Sequence, residues 1–116
     1  MRRSVEAYLQ DIVDACDGIA LALRDVDLNG YLKDRVVRSA VEREFIIIGE
    51  AVSVLARLAP NVAASISHAR RIVDFRNQLT HAYPSIEDDA VWAITQGEVP
   101  VLRRECMEQL ALRDGD

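Results

Sequence analysis

Six apolar side chains near the start of the chain, Val5, Leu9, Ile12, Cys16, Ile19 and Leu23, recur at alternating steps of four and three. In a strand they would scatter over both faces. On an α-helix they form one continuous stripe, so this stretch is a helix that must bury that stripe. No other part of the sequence is so regular. Ser4 stands where an N-cap belongs, and Glu6 and Asp11 favour a helix start behind it. The helix is expected from about Ser4 to Asp25, with a turn at Asn29-Gly30.

A buried stripe needs partners, and the composition supplies them. Half of the 116 residues are apolar, with only 5 glycines, 3 prolines and few aromatics, which favours helices over a sheet. A second helix reads from near Leu32 to Leu58. Val37, Val41, Ile48, Val52 and Leu55 cover one face of it, and Val36, Ala40, Ile47, Val54 and Leu58 an adjoining one. So broad an arc calls for more than one neighbour. Ile46 sits among the charges of the remaining side, either as a singly exposed isoleucine or as part of a subunit interface. Pro60 opens a short segment, 61–67, of one or two helical turns. After Pro84, Ser85-Ile86-Glu87-Asp88 is a capping-box pattern that starts a last helix. Ala90, Val91, Trp92 and Ile94 are its inward positions; Gly97 and Pro100 are expected to kink or break it, and Val99, Leu102, Cys106 and Leu110 resume its stripe. The expectation is a single all-α domain over residues 1–116, an antiparallel bundle of four to five helices.

The chemistry concentrates in residues 70–83, Arg-Arg-Ile-Val-Asp-Phe-Arg-Asn-Gln-Leu-Thr-His-Ala-Tyr. As a helix this stretch gives an apolar stripe of Ile72, Phe75, Leu79 and Ala82 and a separate polar stripe of Asp74, Asn77, Gln78 and His81. Arg76 and Tyr83 lie along a third line. Pro84 ends the helix, which leaves His81 and Tyr83 at a C-terminus whose free carbonyls favour cations. Taken singly these residues have plain readings. His81 can be a cap, Asp74 a surface partner of Arg70 or Arg71, Tyr83 an anchor with a wet hydroxyl, Trp92 a core residue, and Glu50 a solvated charge.

Together they are more specific. Arg76, four residues, then His81-Ala82-Tyr83 fits R-x(4-6)-H-x-Y. Ile48-Gly49-Glu50-Ala51, the run 71–79, Val91-Trp92 and Val99-Pro100-Val101-Leu102 also resemble stretches of HEPN-domain proteins of the HepT-like toxin group. Ala82, often glycine there, and Thr80, commonly small and apolar, depart from the pattern at tolerant positions. The resemblance implies a HEPN-type bundle and a metal-independent endoribonuclease that is the toxin of a prokaryotic toxin–antitoxin pair. It implies RNA as substrate, a homodimer, and a minimal nucleotidyltransferase as antitoxin, one that in part of the family transfers AMP to the motif tyrosine, here Tyr83.

The residues agree with that chemistry on their own. Metal-free RNA cleavage needs proton transfer near neutral pH, which an imidazole such as His81 performs, and a cation for the phosphorane, which the fork of Arg76 offers. Asn77 would contact phosphate or orient His81, and Asp74 would orient an arginine. One His and one Arg are few for the whole reaction, so two copies sharing a cleft are expected. Two other readings stand beside this one, a non-catalytic HEPN domain that binds a nucleotide or partner, and a plain helical dimerisation subunit. Cys16 and Cys106 read as reduced core residues of a cytosolic protein, with no C-x-x-C and no histidine cluster to suggest a metal or cofactor site. No apolar run approaches membrane-spanning length. The net charge of −5 argues against a general nucleic-acid-coating protein, so any RNA contact must come from a local patch or a shared groove.

Overall fold

A computed structural model describes residues 3–81 and 87–114, and every described element is helical. Helix α1 (Val5–Ala22) is capped as expected: the Ser4 hydroxyl accepts a 3.1 Å bond from the Ala7 amide. Leu9, Ile12, Cys16 and Ile19 of the opening stripe are buried, and Val5 and Leu23 pack at its ends.

The second expected helix is divided. A short α2 (Leu28–Lys33) precedes α3 (Arg35–Leu58), and the turn expected at Asn29-Gly30 lies inside α2. Two aspartates cause the difference. The Asp27 carboxylate accepts the Gly30 amide at 2.8 Å and starts a helix through the glycine. Asp34 is extended and accepts the amides of Val36 and Val37 at 3.0 and 3.2 Å, so it ends one helix and caps the next. The Arg38 guanidinium stitches the joint by donating to the carbonyls of Tyr31 and Leu32.

Helix α3 does have several neighbours, chiefly α1 on one side and α5 on another. Its first apolar face is mostly buried; of the second, Val36 and Ala40 are exposed and Ile47, Val54 and Leu58 half-buried. Ile46 is half-buried against the core rather than isolated among charges. Pro60 occupies the first position of α4 (Pro60–Ala64), where its missing N–H costs nothing. Then follow α5 (Ala69–His81) and α6 (Asp88–Asp114).

The break expected in α6 is absent, since the helix runs unbroken past Gly97 and Pro100. Val91, Thr95, Val99, Leu102 and Cys106 are all buried and fall on one stripe across the proline. Burying such side chains contributes about 1.5–3 kcal/mol each for the larger ones, enough together to offset about 3 kcal/mol for an interior proline. Ala90, expected inward, is exposed at the rim of a groove. Trp92 is half-buried and tilts against Tyr31 with ring centroids 5.6 Å apart, a packing role. Cys16 and Cys106 are free thiols in the core, where burial pushes each up to about 12. Among the described residues no helix is long and apolar enough to cross a membrane.

Candidate active site

Helix α5 buries one of its 13 residues, Leu79, far fewer for its length than α1 or α3. Ile72, Val73 and Phe75 are half-buried against the core, and Phe75 meets Phe45 of α3 edge-to-face with centroids 5.0 Å apart. The apolar stripe read from the sequence thus docks α5 on α3. The rest of the helix is polar, and its three arginines outnumber its one aspartate, a cationic strip on an acidic protein.

The expected site residues separate around this helix. Asp74, Asn77 and His81 are exposed, with His81 as the last residue of α5. Arg76 is on a different side. Its stem lies on α3 at Gly49, where an added Cβ would overlap the Cβ of Arg76 and stand 2.6 Å from its Cγ. The Arg76 Nε is buried and, among the described residues, has no hydrogen-bond partner. On a regular helix, five residues turn about 140° and advance about 7.5 Å, so Arg76 and His81 diverge. The two cations therefore lie on two faces of α5, on the separate lines read from the sequence. Ala82 to Ile86, which include Tyr83 and the proline stop, lie outside the described residues.

Asp74 is not the partner of Arg71, which instead reaches Glu98 of α6 at 3.2 Å. Arg71, Asp74 and Gln78 rim a groove of about 500 Å³ between α5 and α6, whose floor includes Phe45, Ile48 and Ile94. The Thr80 hydroxyl donates back to the carbonyls of Arg76 and Asn77, both at 3.2 Å, and thereby occupies carbonyls of the last turn. Glu50 is exposed. At the other end of α5, Glu105 of α6 accepts the Ser67 amide at 3.0 Å and the Ser67 hydroxyl at 2.6 Å.

Two of these features escape the sequence reading. Ser67–Glu105 is a tertiary contact with no local signal. Gly49 did carry one: a buried glycine inside a long helix costs about 1 kcal/mol against alanine, and so calls for a packing reason. Among the described residues no group of three or more His, Cys, Asp or Glu side chains is arranged to hold a metal ion.

Comparison with known proteins gives a consistent family. Residues 5–109 match the family described as "Ribonuclease HepT-like". The chain is 31% identical over 108 residues to "Putative RNase MJ1380" of Methanocaldococcus jannaschii, covering 90% of this chain and 94% of that protein. It is 30% identical over 107 residues to "Probable ribonuclease HepT" of Thermococcus cleftensis, covering 89% and 93%. A relative from Caldanaerobacter subterraneus, "Putative RNase TTE0752", is 26% identical over 103 residues, covering 89% and 91%. No solved structure matches the chain.

Proposed function

Because this chain belongs to the HepT-like ribonuclease family, we propose that it is a metal-independent endoribonuclease that acts as the toxin of a toxin–antitoxin pair. The observation that carries the reading is the construction of α5. A helix with one buried residue presents His81 to solvent at its end and holds Arg76 with its stem seated on α3. The Arg76 guanidinium, always charged and forked, suits the phosphorane oxygens. His81 takes the 2′-OH proton of RNA and returns a proton to the departing 5′ oxygen. Asn77 lies on the exposed side with His81 and contacts phosphate or orients the imidazole; Asp74 orients an arginine.

The divergence of Arg76 and His81 supports a two-fold dimer in which one copy's arginine and the other's histidine serve one scissile phosphate. Val36 and Ala40, exposed on the second apolar face of α3, are candidates for its interface. Such a dimer sediments at twice the 13.0 kDa chain mass at micromolar concentration, and a stable monomer would count against a shared site. The partner in the pair is a minimal nucleotidyltransferase that transfers AMP to Tyr83. The added phosphate competes with RNA for the same cations.

Activity tests this directly. Arg76→Ala and His81→Ala each lower cleavage of cellular RNA by roughly 10²-fold or more and leave the fold intact. Cleavage persists in excess EDTA. Wild-type cleavage by either variant, or loss in EDTA restored by a divalent ion, rejects the assignment. Intact mass after co-expression with the nucleotidyltransferase reads out the AMP. An unmodified Tyr83 in a silenced protein rejects that form of control.

A further inference from the structure

Most glycines in a helical protein can be exchanged for alanine with a small gain, because alanine loses less entropy on folding. The glycines among the described residues differ sharply in what an added methyl would meet. At Gly97 it meets open space. At Gly30 the nearest atom, at 3.2 Å, belongs to the Asp27 carboxylate that caps the helix. At Gly18 it meets the far end of the Glu44 side chain, which can swing aside. At Gly49 it meets the root of a side chain, the Cβ and Cγ of Arg76.

A root cannot swing aside. The Cβ position is fixed by the backbone of α5, so an alanine at 49 can be accommodated only if α5 moves away from α3 at Arg76 or turns about its axis. Gly49 thus lets the backbone of α3 act as the seat for one arginine. The first part of the side chain lies against Gly49, and its Nε is buried with no partner among the described residues.

We infer that Gly49 is a positioning residue of the ribonuclease, the seat that aims the Arg76 guanidinium. The inference rests on the reading of Arg76 as the phosphate-binding cation. It adds that the cation is aimed by packing against α3. Preorganised charge is effective only where the transition-state charge appears, and a displacement of about 1 Å can cost 10²-fold in rate.

The test uses the full chain in four forms: wild type, Gly49→Ala, Arg76→Ala, and Gly97→Ala as the control with free space. Gly49→Ala is expected to lower kcat for RNA cleavage by roughly 10- to 100-fold, with KM within about twofold and full helicity at the assay temperature. Gly97→Ala retains wild-type kcat. If Gly49→Ala keeps wild-type kcat while Arg76→Ala loses it, Gly49 does not aim the arginine and only this inference falls. If Arg76→Ala keeps wild-type kcat, the functional reading falls first and the inference with it.

A melting cycle guards against a variant that folds poorly. Gly49→Ala is expected to lower the melting midpoint by roughly 4 °C or more in the wild-type background. In an Arg76→Gly background, where no Cβ remains to obstruct it, the same substitution is expected to leave the midpoint unchanged or raise it. An equal loss in both backgrounds means that the methyl collides with something other than Arg76, and overturns the inference.

Discussion

The three long helices α1, α3 and α6 and the motif helix α5 are held very differently. α1 contributes Leu9, Ile12, Cys16 and Ile19 to the core, α3 contributes Val41, Ile48, Val52 and Leu55, and α6 contributes Val91, Leu102 and Cys106, each nearly or wholly excluded from water. α5 buries Leu79 and rests mainly on α3. The contrast teaches where a small ribonuclease can place charge. Guanidinium and imidazole groups cannot be sunk in the three-helix core without a large desolvation cost. They are carried on a helix that contributes little burial, and the scaffold gives that helix its position through a few contacts.

The sharpest break of this comparison is a paired truncation. Ile48→Ala in the scaffold removes a wholly buried side chain and is expected to destabilise by about 2–5 kcal/mol. Leu79→Ala on α5 removes a side chain at 9% exposure, beside the edge of the bundle, and should sit at or below the low end of that range. Urea unfolding at matched m-values measures both. Equal losses would mean that α5 is as integral to the fold as α3, and the two-region picture would fail.

A second, smaller effect belongs to the scaffold alone. Burial pushes the thiols of Cys16 and Cys106 up to about 12. Unfolded cysteines release their protons near pH 8.5–9. A folded-state pKa above the unfolded one means that the stability is fully present below about pH 9 and declines as pH rises towards 12. The slope is about 1.4 kcal/mol per pH unit for each thiol. Tyr31, also raised by burial, adds to the decline only above about pH 10. Unfolding free energies at pH 8.5, 9.25 and 10 should therefore fall in the wild type and stay nearly flat in a Cys16→Ala/Cys106→Ala variant. A flat wild-type profile would mean that the thiols are not held in an apolar core.

These two tests concern the part of the molecule most legible in its sequence. The stripe from Val5 to Leu23 specified α1 because a helix period is visible without knowing any partner. The division at Asp34 is not legible in the sequence because the apolar pattern continues across it, and only the cap geometry marks the boundary. The proline and glycine of α6 signal a break that the packing overrides. Their local cost is real, but burial of Val91, Val99, Leu102 and Cys106 along one stripe outweighs it. For the site, spacing identified the helix and its polar residues. The same spacing puts Arg76 on a different line from His81, because five positions turn the helix by about 140°. The seat at Gly49 depends on how α3 meets α5, twenty-seven residues further on, and no local pattern encodes that meeting.

The smallest expected effect bears on the junction between the two regions. Ser67 precedes α5, and its amide and hydroxyl both bond to the carboxylate of Glu105 on α6. Between them His68 adopts a left-handed backbone with φ 61°, unfavourable for a side chain larger than glycine unless its surroundings hold it. The carboxylate therefore fixes the direction in which α5 sets out. Glu105→Gln keeps the shape but removes the charge and one of the two acceptor oxygens. These bonds are solvent-exposed, so the global loss should be near or below about 1 kcal/mol, a shift of a few degrees in the midpoint. The local effect should exceed the global one, because opening the start of α5 need not disturb the core. Amides in the first two turns of α5 are expected to exchange several-fold faster in Glu105→Gln, while those of α1 and of the middle of α3 keep their rates. Uniform acceleration in all helices would show that α5 opens only with the whole bundle. Unchanged α5 amides would show that its placement rests on α3 alone, with Gly49 and Leu79 as sufficient contacts.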